Sequence, residues 1–235
     1  MTDTHTVQVF DRDTDQLETC IARMGGMAGV MVGNAIQALT NVDSGLAQSV
    51  IEMDPQLDAL QRMTEAHAIA EIACRQPVAD DLREIIAAIR IAGELERVGD
   101  LAKNIARRAL KIGPAVPQVR STVALRHMTD LAIEMFTNAT DAFRRRDPER
   151  TRAVCTREVE IDGLGDSVFR DLLTRMMEEP RNLTSCVHLL FCSKNVERIG
   201  HHGISIARAV NFMVTGGDPV QTSRALGLQN GQTIR

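Results

Sequence analysis

Apolar residues recur every three or four positions along almost the whole chain, which is the period of an amphipathic helix. In the first segment Leu17, Ile21, Met24, Ala28, Met31, Ala35 and Leu39 step mostly by alternating fours and threes, the seam of a helical bundle. Interruptions are few. Asn41-Val-Asp-Ser-Gly45 closes the first helix, and Arg75-Gln-Pro-Val-Ala-Asp80 separates a second from a third, with Asp80 placed as an N-cap. Gly113-Pro-Ala-Val-Pro117 is the strongest break and reads as a linker. Asp147-Pro148, Glu179-Pro180 and Gly216-Gly-Asp-Pro219 follow it. The pieces between breaks are about 30 residues each, so each helix spans roughly 40 Å at 1.5 Å per residue.

The two halves repeat each other. Met24 to Asp43 aligns with Met128 to Asp147 at an offset of 104, Gln76-Pro77 with Glu179-Pro180 at 103, and Glu-Arg-Val-Gly at 96–99 with Glu-Arg-Ile-Gly at 197–200 at 101. Related offsets over three separate helices indicate a duplicated three-helix unit, with a period too long and copies too few for a solenoid. The pattern predicts an all-α protein of two tandem antiparallel three-helix bundles, over 13–113 and 118–216, between flexible tails at 1–12 and 217–235.

Composition narrows this further. The 235 residues include six Phe, no Trp and no Tyr, which argues against strand-rich folds and removes most platforms for stacking single-stranded nucleic acid. A net charge of −4 gives no general electrostatic reason to bind a polyanion. Nucleic acid is therefore not an expected partner. Five widely spaced cysteines form no Cys-x-x-Cys pair, and the polar, acidic N-terminus is unlike a signal or transit peptide, so a reducing cytoplasm is expected. Met24 to Val42 contains no charge and carries a row of Gly25, Gly29 and Gly33, yet Asn34, Gln37, Thr40 and Asn41 make it too polar to span a bilayer. It reads as a buried helix whose glycines admit a close neighbour, within the chain or in a dimer. No direct membrane insertion is expected.

One chemical pattern recurs within the repeat: a carboxylate followed four residues later by a second potential ligand. Its copies are Asp54 and Asp58, Glu96 and Asp100, Glu158 and Asp162, and Glu197 and His201. The i, i+4 spacing puts both side chains on one face of a helix. Each row is rotated about 100° from its core stripe, on the helix shoulder, so Asp54/Asp58 are expected to approach Glu96/Asp100, and Glu158/Asp162 to approach Glu197/His201. Adjacent like charges cost a helix roughly 0.2–0.5 kcal/mol per pair and call for compensation. Either hard divalent cations or iron supply it, with Asn104 extending the first site, or nearby arginines do, namely Arg62, Arg97, Arg157 or Arg198.

The helices carrying these pairs resemble a known family. Leu95-Glu-Arg-Val-Gly-Asp-Leu-Ala-Lys-Asn-Ile-Ala106 and Val196-Glu-Arg-Ile-Gly-His-His-Gly-Ile-Ser-Ile-Ala207 are similar to the two signature helices of the PhoU family of phosphate-transport regulators, and Arg75 to Arg83 resembles its inter-helix segment. The likeness covers roughly residues 13 to 215. It implies two three-helix bundles in a cytoplasmic, self-associating protein that represses the phosphate-starvation response. The implied partners are the phosphate-importing ABC transporter and a membrane sensor histidine kinase. Divalent or iron ions are implied at the four pairs. Here the second site departs from the family pattern, with His201 in place of an Asp and Ser205 at the position of Asn104. Histidine suits transition metals and not Mg²⁺ or Ca²⁺, so the metal expectation falls mainly on the first site.

Other features carry less. The glycine-rich start of the first helix lacks a Walker pattern, and no Glu-x-x-His occurs to mark a di-iron oxidase. His202 falls on the seam beside Ile199 and Ile206 and reads as a bundle-edge histidine; Cys186 and Cys192 read as small buried hydrophobes. Arg144, Arg145, Arg146, Arg150 and Arg152 make a basic corner, a solvated helix end or a docking patch for an acidic partner. A non-enzymatic, metal-binding regulator is the leading expectation. A carboxylate-bridged metalloenzyme and a purely structural helical dimer are the alternatives.

Overall fold

The computed structural model describes residues 3–113 and 120–217, with side chains over 16–113 and 122–217. Those residues form helices and turns, without a strand among them. The helices are α1 (Asp3–Asn41), α2 (Ser44–Arg75), α3 (Ala79–Ile112), α4 (Arg120–Arg145), α5 (Pro148–Thr156), α6 (Glu158–Glu178) and α7 (Leu183–Thr215), with a 3-10 turn at Pro180–Asn182 before α7. The first bundle is α1–α3 and the second is α4–α7, with α5 and α6 together filling the place of α2.

Most of the punctuation acts as expected. Asp43 caps α2 by accepting from the Leu46 N–H at 2.9 Å, and Asp147 caps α5 by accepting from the Glu149 N–H at 3.0 Å, with Pro148 in the first turn. Three details differ. Asp80 is not a cap: Val78 occupies that position without a side-chain bond, and Asp80 lies in the first turn of α3, paired with Arg83 and favourably placed in the helix dipole. The helix expected between Pro148 and Glu179 is divided at Arg157, which reaches Glu134 on α4 at 3.6 Å and Glu160 at 2.7 Å. Residues 3–12, expected as a tail, form the start of α1. The linker at 114–117 and the tail beyond Gly217 lie outside the described residues.

The two bundles share one hydrophobic core. Its broadest helix contact crosses between the repeats, α3 against α7, and α1 packs on α4 beside it. The row of glycines explains the second contact. A Cβ at Gly25 would stand 3.3 Å from Thr140 Cγ2, and those at Gly29 and Gly33 would touch Phe136 and Ile133, so the small face of α1 is used within the chain. At the far end of α1, Arg126 donates to Thr40 Oγ1 at 2.7 Å and Asn41 Oδ1 at 3.0 Å. Across α3 and α7, Arg108 lies 4.2 Å above the Phe191 ring and contacts His188 Nδ1 at 3.2 Å, while Arg90 lies 4.8 Å above the Phe212 ring. Among the described residues no helix is long and apolar enough to cross a membrane.

The duplication is visible atom by atom. Gly99 presses on Leu57 and Met31; a methyl there would overlap Leu57. Its equivalent, Gly200, presses on Ile161 and Met135, with Ile161 Cδ1 only 2.6 Å from where a Cβ would be. Each Glu-Arg-[Val/Ile]-Gly segment therefore admits a core side chain of the facing helix. That contact holds the acidic rows of the two helices side by side.

Candidate metal centre

In the first repeat the rows meet as expected. Asp54, on α2, is buried; Asp58, Glu96 and Asp100 are half-buried; Asn104 is exposed. Burial raises the Glu96 carboxyl above the ordinary 4.5, and the negative charges of Asp100, Asp58 and Asp54 push it the same way. Of the expected arginines Arg97 eases the charge on Glu96, but the cation that hydrogen-bonds the carboxylates across the two helices is a lysine. Lys103 Nζ lies 2.7 Å from Asp54 Oδ2 and 2.5 Å from Asp100 Oδ1, joining α2 to α3. Burial alone would lower this ammonium, but its hydrogen bonds to Asp100 and Asp54 hold it above its ordinary value. Sequence reasoning passed over Lys103, although its place three residues after Asp100 put it on the same face.

The second repeat is built differently. His201 Nε2 stands 3.2 Å from Asp162 Oδ1, and ligand atoms of Asp162, Glu197 and His201 all lie within 4.8 Å of one another. No other such group of three occurs among the described residues. Glu197 is only 17% exposed in its side chain, and Gly165 makes room for it: a Cβ at Gly165 would be 2.8 Å from Glu197 Oε2. Lys194 reaches the same oxygen at 2.7 Å from the rim. Glu158 stays outside the triad. The division at Arg157 makes it the first residue of α6, whereas its equivalent Asp54 lies well inside α2.

A PhoU domain model matches residues 21–109 and again residues 125–210. The chain belongs to the PhoU family. The two matches coincide with the two repeats and leave out the linker and both termini. A Rhizobium meliloti protein named phosphate-specific transport system accessory protein PhoU homolog is 45% identical over 220 residues, covering 93% of this chain and 92% of that one. A Caulobacter vibrioides protein of the same name is 41% identical over 212 residues, covering 90% and 92%. The crystal structure of PhoU from Pseudomonas aeruginosa superposes with a TM-score of 0.84 at 34% identity, covering 88% of this chain and all of that one. A Streptococcus pneumoniae phosphate transport system regulatory protein PhoU shares the fold at a TM-score of 0.82 and 21% identity.

The metal that resemblance to the PhoU family implies can be tested against the two donor sets. In the second repeat two carboxylates and an imidazole converge over a glycine that leaves space for one of them, a set that fits a transition metal. In the first repeat two of the carboxylates, Asp54 and Asp100, close on an ammonium that the chain itself provides, which takes the place that a metal shared by α2 and α3 would need. By donor set the second repeat is the better fit, whereas the expectation from sequence fell mainly on the first.

The remaining candidates have local partners. His202 Nδ1 meets Glu94 Oε2 at 2.6 Å, tying α7 to α3 at the bundle edge. At the basic corner Arg144 pairs with Asp141, Arg146 with Glu84, Arg150 with Asp147 and Arg152 with Glu149, so most of its charge is spent inside the molecule. Cys186 and Cys192 are buried, and burial pushes the Cys192 thiol up to about 12, far from the range of a reactive thiolate.

Proposed function

We propose that this chain is a non-catalytic accessory regulator of phosphate transport, repressing the phosphate-starvation response when phosphate is plentiful. The observation that carries the reading is end-to-end similarity to proteins named for the phosphate-specific transport system, at 45% identity over nearly the full length of both chains. In this reading the chain works at the cytoplasmic side of the phosphate ABC transporter and also contacts a sensor histidine kinase, as a homodimer. Its helical surface docks on both partners and favours the kinase's repressed state.

The same proposal assigns a divalent transition metal to Asp162, Glu197 and His201. A bound ion would supply positive charge that cross-links α6 to α7. The residues themselves prepare for it. Gly165 lets the Glu197 carboxylate lie against α6, and Asp162 orients the His201 ring through Nε2. Ordering two helices at this point would bias the outer face of the second repeat that partners meet.

Alkaline phosphatase activity in a deletion strain grown in abundant phosphate tests the regulatory reading. High constitutive activity, returned to low by the intact gene, is the expected result. Low activity in the deletion strain would overturn it. Turnover of phosphate esters by the purified, metal-loaded protein would replace it with the metalloenzyme reading.

A further inference from the structure

The two acidic clusters hold equivalent places in the duplicated fold, and one position decides how each is neutralised. Lys103 in α3 corresponds to Ile204 in α7, one offset of 101 residues away. Ile204 is 2% exposed and belongs to the core. Lys103 instead turns its ammonium into the carboxylates, 2.7 Å from Asp54 and 2.5 Å from Asp100, with only 16% of its side chain exposed. Those two carboxylates come from different helices, so Lys103 bridges α2 and α3 just where a metal shared by the two acidic rows would have to bind.

An ammonium and a divalent ion cannot both occupy that space. Their charges repel strongly at contact distance in a half-buried site. The ammonium also has the advantage of being tethered, so its local concentration is high and constant. To enter, a metal must expel Lys103 and leave it half-buried without its carboxylate partners. Nothing comparable blocks the second cluster, where Lys194 reaches Glu197 only from the rim with 51% of its side chain exposed.

We propose that Lys103 is the resident cation of the first repeat, so that its carboxylate cluster takes no divalent metal and the chain binds one ion, in the second repeat. The location of that ion rests on the metal reading above; the closure of the first cluster does not. An internal ammonium has taken over the cross-linking of the helices in one copy of the duplicated unit. The other copy keeps a set of donors open to exchange with solvent ions.

The test is calorimetric titration of Co²⁺ into the full-length, metal-stripped protein, with thermal melts of the same samples. Wild type is expected to bind one equivalent, and Asp162→Asn combined with His201→Ala none. Lys103→Met is expected to bind two, to melt below wild type without Co²⁺ and to recover with it. Lys103→Arg keeps a cation and is expected to behave as wild type, which covers the case in which Lys103→Met does not fold. Two equivalents in wild type, or one retained when Asp162 and His201 are replaced, would overturn the proposal. So would a Lys103→Met protein that binds one equivalent and melts as wild type does. No binding to wild type with one equivalent gained in Lys103→Met would sink the metal reading of the second repeat and support the role of Lys103.

Discussion

The two acidic clusters began as copies of one design and now solve the same electrostatic problem in different ways. In the first, Asp54 and Asp100 close on Lys103 beside Asp58 and Glu96, so the chain itself supplies a cation between the two rows. In the second, Asp162 and Glu197 face His201, whose imidazole is a good ligand for a transition metal. The packing beneath is nearly the same in both, Gly99 against Leu57 and Met31, Gly200 against Ile161 and Met135. Duplication therefore preserved the scaffold that brings the two acidic rows together, while single residues at its surface decided what the rows do.

The hardest test of that shared scaffold is to fill the glycines. Gly99→Ala puts a methyl into Leu57, and Gly200→Ala puts one 2.6 Å from Ile161 Cδ1 with the Met135 sulfur at 3.4 Å. Overpacking of this kind costs roughly 1–3 kcal/mol, only partly offset by alanine's helix preference of about 1 kcal/mol. Thermal melts should fall by about 2–4 °C per kcal/mol lost for a chain of this size. Similar losses at the two positions would confirm equal packing in the repeats; a loss at one alone would break the comparison.

A smaller and more local effect is expected at Gly165. Its replacement by Ala sets a Cβ 2.8 Å from Glu197 Oε2, and a flexible carboxylate can move aside at little cost to folding. The displaced oxygen is one of the three converging donors, so Co²⁺ affinity should fall about tenfold or more, as for other supports of a metal ligand. Equal affinity in Gly165→Ala and wild type would mean that Glu197 is not a ligand. At the equivalent position of the first repeat stands Gln61, which hydrogen-bonds Glu65 at 3.1 Å and offers no such space.

How much of this was legible in the sequence follows from what each residue's environment depends on. Helix number, order and duplication came through because apolar period and Pro/Gly punctuation are local signals repeated over many residues. The meeting of Asp54 with Asp100, and of Asp162 with His201, was also legible, since i, i+4 rows on helix shoulders can face only a neighbouring shoulder. The division at Arg157 was not, because no Pro or Gly marks it and the residue keeps helical dihedrals while its N–H turns to the Val154 carbonyl at 3.2 Å. Lys103 was missed for a different reason. A lysine three residues beyond an aspartate reads as a solvated surface pair, and only the packing of α2 against α3 turns it inward. Gly165 likewise reads as a helix-weakening residue until the Glu197 carboxylate is seen lying over it.

Glu96 gives the comparison a pH dependence. Burial and its acidic neighbours raise its carboxyl above 4.5, so between 4.5 and that raised value the folded chain holds a proton that the unfolded chain has released. Stability from this group therefore falls as pH rises through that window, and above it the repulsion is present in full. Glu96→Gln should flatten this part of the melting profile and raise the melting temperature slightly at neutral pH. A profile with the same slope in both proteins would show that Lys103 already screens Glu96 from Asp58 and Asp100.

The smallest expected effect sharpens the contrast between the two lysines. Lys194 lies as close to Glu197 as Lys103 does to Asp54, 2.7 Å in both cases, but its side chain is 51% exposed against 16%. An exposed pair of this kind is worth about 0–1 kcal/mol, because water and salt screen it and the side chain loses freedom to make it. Lys194→Ala should therefore lower the melting temperature by no more than about 4 °C, on the scale of 2–4 °C per kcal/mol. It should also tighten Co²⁺ binding modestly by freeing the Glu197 oxygen. A melting loss as large as that of Lys103→Met would mean that burial does not separate the two lysines, and that distance alone sets what an ammonium is worth in either repeat.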